Sequence, residues 1–128
     1  MTTQAATASV TSPGAGATLA SITIPTALAG TEFEVVASVW YAGTLVLAAD
    51  SDNVAIQSDP VTAGTFVTAE VLSAPAVVAT GEPTLFRCNL VAQATIKLIA
   101  VAAGTASSIY HVHLEANPVV TTGIGETT

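Results

Sequence analysis

Thr31-Glu32-Phe33-Glu34-Val35-Val36-Ala37-Ser38-Val39-Trp40-Tyr41 is the stretch that decides the fold. Phe33, Val35, Ala37, Val39 and Tyr41 alternate with Glu32, Glu34, Val36, Ser38 and Trp40. Successive strand side chains point to opposite faces, so a period of two reads as a half-buried β-strand. Adjacent Trp40 and Tyr41 must then face opposite ways, one into a core and one outward.

The same pattern extends in both directions. Ala17 to Ile24 is a short β-type run stopped by Pro25. Ala42-Gly43 turns the chain into Thr44 to Ala49, and Asp50-Ser51-Asp52-Asn53 is a turn cluster before Val54 to Gln57. Asp59-Pro60 turns the chain again. In Thr65 to Leu72, Val67, Ala69 and Val71 are expected on one face, with Thr68 and Glu70 on the other. Pro75 to Ala79 is a Pro-led edge candidate. Thr84 to Val91 sets Phe86, Cys88 and Leu90 against Arg87 and Asn89. Ala94 to Ala102 is apolar on both faces apart from Lys97, which predicts a central strand. Ser107 to Ala116 divides Tyr110, Val112, Leu114 and Ala116 from Ile109, His111, His113 and Glu115. No window of ten or more residues follows a helical period. The expectation is all-β: an antiparallel β-sandwich, jelly-roll-like, of eight or nine short strands.

Residues 1–16 carry no evident period and are expected to form an extended N-terminal arm that orders on a partner, with Pro13 a contact. The sandwich domain is placed at 17–117 and a C-terminal tail at 118–128.

The chain has 128 residues, one domain's worth by the usual span of about 100–150. Only 9% are charged, against roughly 25% in an average domain. Hydrophobic residues make up 51% but aromatics only 5%, so the apolar mass is small and branched. With Arg87 and Lys97 as the only cations, phosphate neutralisation fails, which argues against nucleic acid as a partner. No apolar run reaches the roughly 20 residues of a membrane helix, and Met1-Thr2-Thr3-Gln4 does not resemble a secretory signal. Synthesis in the cytoplasm and no membrane partner are expected.

Candidate chemistry is sparse. His111 and His113, two apart on a strand, share a face with Glu115. Cupins place Glu after three or four residues that follow such a His-x-His, where Asn117 and Pro118 stand here, and a second His motif is missing from a chain with 2 His. A half-exposed face or an interface suits the pair better than a metal. Asp50-Ser51-Asp52-Asn53 starts like a calcium loop, but Val54 and Ala55 occupy the next ligand and Gly positions. Cys88 alternates with apolar neighbours and reads as a buried, inert thiol. No Gly-x-Ser-x-Gly elbow or phosphate loop occurs. The expectation is a non-enzymatic protein without cofactor or metal. An outward Trp40 fits an interface anchor or a sugar-stacking platform.

A surface this poor in charge suits burial between subunits, and the mean hydropathy of +0.67 agrees. Ser12-Pro13-Gly14-Ala15-Gly16, Leu19-Ala20-Ser21-Ile22, Ala29-Gly30-Thr31, Ala42-Gly43-Thr44 and Ala49-Asp50-Ser51-Asp52-Asn53-Val54 resemble small virion proteins of tailed bacteriophages. So do Ala102-Ala103-Gly104-Thr105-Ala106, Ile109-Tyr110 and Leu114-Glu115-Ala116-Asn117-Pro118-Val119. The resemblance is to decoration or minor structural proteins with a jelly-roll-like β-sandwich. It implies a homotrimer on the capsid surface, bound to the major capsid protein and stabilising the shell, its arms gripping the capsid. Trp40, His111 and His113 are the expected contacts within the sandwich. A tail or baseplate component and a carbohydrate-binding adhesion module are the alternatives.

Overall fold

The computed structural model describes residues 4–11, 14–43, 54–72, 84–101 and 108–119. Eight strands and one short 3-10 turn make up these segments. They are β1 (Gln4–Thr11), β2 (Thr18–Thr23), β3 (Thr31–Gly43), β4 (Val54–Ser58), β5 (Val67–Leu72), β6 (Thr84–Ala92), β7 (Thr95–Ala100) and β8 (Ser108–Pro118). Sheet A has the order β1-β8-β3-β6 and sheet B the order β2-β7-β4-β5. Every pairing is antiparallel. First pairs with last, β2 with β7, β3 with β6 and β4 with β5, so the chain is one long antiparallel ribbon rolled into two sheets. That is the order of an eight-stranded jelly roll.

The core lies between the sheets. Phe33, Val35, Ala37 and Val39 of β3 and Tyr110, Val112, Leu114 and Ala116 of β8 are fully buried, as the alternation in those stretches predicts. Sheet B answers with Leu19, Ile22, Val54, Ile56, Ile96 and Leu98. β7 is flanked by β2 and β4, the central placement that its two-sided apolarity predicts.

Two expectations need correction, and several others fall outside the described residues. Gln4–Thr11, expected within an unpaired arm, is the edge strand β1, registered along β8 from Gln4↔Ala116 to Thr11↔Ile109. Its alternation is real but faint: Ala6, Ala8 and Val10 pack on the core, whereas Ala5, Thr7, Ser9 and Thr11 face outward. Ala against Thr is a small contrast in hydrophobicity, so the period does not stand out from composition. β5 differs from the predicted two-face division. The β4–β5 register shifts between Ile56 and Gln57, so Glu70 lies opposite Ile56 and Thr68 opposite Gln57, with Ala69 the extra residue. Thr68 and Glu70 therefore lie on opposite faces. Pro13, the strands expected at 44–49 and 75–79, the turn at 50–53 and the tail beyond Val119 lie outside the described residues.

Asp59, read in the sequence only as part of a turn, is buried and closes one end of the sandwich. Its carboxylate accepts backbone N–H bonds from Gly64 (2.9 Å), Gln93 (3.0 Å), Ala94 (3.1 Å) and Thr95 (3.1 Å). Gly64 has φ +87°, a conformation that L side chains rarely adopt, and this turn brings its N–H to the carboxylate. Gln93 adds a bond from its side-chain amide to the Pro60 carbonyl at 2.9 Å.

Candidate interaction face

The outer face of sheet A follows from register and parity. Because core residues of β3 and β8 occupy one side, their intervening residues share the other. His111 lies between Ser9 of β1 and Trp40 of β3. His113 lies between Thr7 and Ser38, and Leu85 of β6 continues that row. Glu115 is flanked by Ala5 and Val36, with Arg87 beyond. Three of the expected contact residues, Trp40, His111 and His113, are therefore brought together, although about seventy positions separate Trp40 from the histidines.

The side chains engage one another. The Trp40 and His111 rings stack, with centroids 5.1 Å apart and planes 23° from parallel. His111 Nδ1 lies 2.8 Å from Ser9 Oγ, and His113 Nδ1 lies 2.7 Å from Thr7 Oγ1. A hydroxyl both donates and accepts, so either tautomer of each ring is satisfied. His113 Nε2 is 3.4 Å from Glu115 Oε2. Ser9 and Thr7 were not singled out in the sequence because they fell within the expected arm. Only the β1–β8 pairing makes them partners of the histidines.

Charge on this face gathers toward one end. Glu32, Glu34 and Glu115 are its carboxylates among the described residues, and Arg87 its cation. Lys97 belongs to the other sheet, where its ammonium sits 3.8 Å from the centre of the Phe66 ring. No group of three or more His, Cys, Asp or Glu is placed to hold a metal ion among the described residues.

Cys88 lies on the core side of β6, half-buried against the hydrophobic cluster. Burial, and secondarily the Glu70 carboxylate, push its thiol up to about 11. It is therefore protonated at neutral pH and a weak nucleophile. Leu85 on sheet A and Val61 in the loop after Asp59 are the most exposed large aliphatics among the described residues, at 61% and 84%.

No family model matches this chain, and no curated protein does. Among solved structures it is similar to the N-terminal cellulose-binding domain of β-1,4-glucanase C from Cellulomonas fimi. The likeness covers 90% of this chain and 91% of that one, at 12% identity and a TM-score of 0.38. At that level it carries no functional argument.

Proposed function

We propose that this protein is a non-enzymatic structural subunit of a tailed-phage virion, a capsid decoration (cementing) protein. It docks on the major capsid protein through the outer face of sheet A, as a homotrimer, and stabilises the shell. The observation that carries this reading is the composition of that face. Its charges, Glu32, Glu34, Glu115 and Arg87, lie toward one end, and the end around Trp40 and His111 offers an aromatic stack, hydroxyls and aliphatics with no Asp, Glu, Lys or Arg among the described residues. That end loses little solvation when covered, because no carboxylate, ammonium or guanidinium has to leave water there. The jelly-roll architecture occurs in viral capsid domains and in lectins, so the fold is compatible with the role and does not assign it. Attachment at repeated lattice sites is multivalent, and modest contacts then sum to durable binding.

The test is a titration of purified protein onto expanded phage heads that lack it. Saturable binding at threefold positions is expected. Trp40→Ala is expected to weaken it by about 1–3 kcal/mol, as loss of a central aromatic anchor does. Absence of binding overturns the proposal.

Carbohydrate binding is the second reading, favoured by one observation. Trp40 faces outward beside imidazoles and hydroxyls, the donor and acceptor types that recognise sugars. In that case Trp40→Ala abolishes retention on immobilised polysaccharide, and binding to capsids is never observed.

A further inference from the structure

β5 is an outer strand of sheet B among the described residues, and Val67, Thr68, Ala69, Glu70 and Val71 are all exposed. The two valines reach 50% and 45%, one on each face of the strand. Val67 lies opposite Ser58 and Glu70 opposite Ile56, inward positions of β4, whereas Val71 lies opposite Ala55 on the outward side. Glu70 therefore sits on the side of β5 that faces sheet A, at the open margin of the sandwich. Across that margin stands Cys88 of β6, an outer strand of sheet A, whose thiol is pushed up first by burial and second by this carboxylate. One residue before Glu70, the extra Ala69 breaks the β4–β5 register.

We infer that Glu70 and the Ala69 bulge guard the edge of sheet B, keeping a second copy of this chain from adding its own β5 there. The inference does not depend on what docks on sheet A. A sheet edge displays backbone N–H and C=O groups that pair readily with another strand. Apart from Glu70, Val67-Thr68-Ala69-Glu70-Val71-Leu72 is a sequence of the kind that pairs, rich in β-branched residues and without proline. Glu70 is the only charged residue between Asp59 and Glu82, so this one carboxylate supplies all the charge of the strand. A strand added alongside β5 would extend sheet B past the margin and take that carboxylate out of water. When the added strand is β5 of a second copy, a pairing that keeps both inward sides together sets the two Glu70 carboxylates opposite or next to one another. Like charges opposite one another on paired strands are destabilising. The bulge acts in the same direction, because it bends β5 and spoils the regular ladder that a second β5 needs.

The test compares the full chain with its Glu70→Val, Glu70→Gln, Glu34→Gln and Glu70→Val/Val71→Lys variants. Glu34→Gln removes a carboxylate from sheet A and lowers the net charge by the same amount as either Glu70 change. Sedimentation velocity over a wide range of protein concentration at pH 7.5 gives the onset of higher assemblies. For Glu70→Val that onset is expected at least tenfold below the parent's, and for Glu70→Gln between the two. Glu34→Gln is expected to match the parent. So is Glu70→Val/Val71→Lys, which returns a charge to the same strand. A urea midpoint of Glu70→Val at or above the parent's shows that association starts from the folded chain. Where that midpoint is lower, Glu70→Gln, which keeps the side chain's length, decides in its place. Onsets of both Glu70 variants equal to the parent's overturn the inference. So does an equal shift in Glu34→Gln, or association that Val71→Lys leaves in place. The parent's own mass, monomer or trimer, bears on the docking proposal and not on this one.

Discussion

Asp59 illustrates how much a single buried carboxylate decides. Burial alone would push its carboxyl up, but the backbone N–H groups of Gly64, Ala94, Thr95 and Gln93 together outweigh that and hold it below the usual carboxylate range. A group whose folded pKa is depressed contributes stability that is present above its unfolded value, near 4, and is lost as pH falls through the folded value. Asp59→Asn places an amide donor against backbone donors. It is expected to cost about 2–4 kcal/mol at pH 7, read as a lower urea midpoint. The variant should also lose less stability than the parent between pH 5 and pH 3. Equal pH dependence of the two proteins would show that Asp59 is not the titrating group. Cys88 permits a second test at this scale. Burial is the larger cause of its raised pKa and Glu70 the smaller. Glu70→Gln should therefore speed alkylation by iodoacetamide at pH 9, by a few-fold only, because the burial remains. An unchanged rate would remove Glu70 as a cause. Neither residue announced itself in the sequence. Asp59-Pro60 looks like any turn, and simple alternation puts Glu70 on the same face as Thr68, whereas the extra residue at Ala69 separates them.

Among the elements, β1 matters most. It covers one side of β8, donating and accepting along eight registered positions, and it lays Ala6, Ala8 and Val10 on the core. Deleting residues 1–11 would strip those bonds from β8 and expose that margin of the core. The melting temperature is expected to fall by more than about 10 °C, since each kcal/mol is worth several degrees at this size. A folded, equally stable truncation would restore the view of this segment as a free arm. β3 and β8 could be read from their own residues, because Phe33 to Val39 and Tyr110 to Ala116 contrast strongly with their neighbours. β1 could not, because its inner and outer faces differ only as alanine and valine differ from threonine and serine. The β4–β5 bulge is equally silent, since an inserted residue is defined only by the partner strand.

At the scale of the molecule, the rolled-ribbon topology joins residues very distant in sequence. Thr7 meets His113 across 106 positions. Loops of that size close before their contacts stabilise anything, so refolding from urea is expected on the millisecond-to-second scale rather than in microseconds. Stopped-flow Trp40 emission reads this directly. The proposed oligomer is also a property of this scale. Sedimentation at micromolar concentration is expected to give a trimer's mass, and a stable monomer would remove the homotrimer from the proposal.

Local alternation and composition by themselves determined the β class, the inward residues of β3, β6 and β8, the central place of β7 and a surface poor in charge. These follow from a period of two and from residue counts, neither of which needs a partner. Tertiary structure alone decided that Gln4–Thr11 is a strand, that Ala69 is an insertion, that Asp59 is buried, and that Trp40 stacks on His111 beside Ser9. The physical reason is common to all four. Each depends on which backbone lies alongside, and a strand's polar groups and side chains acquire those neighbours only when distant segments pair.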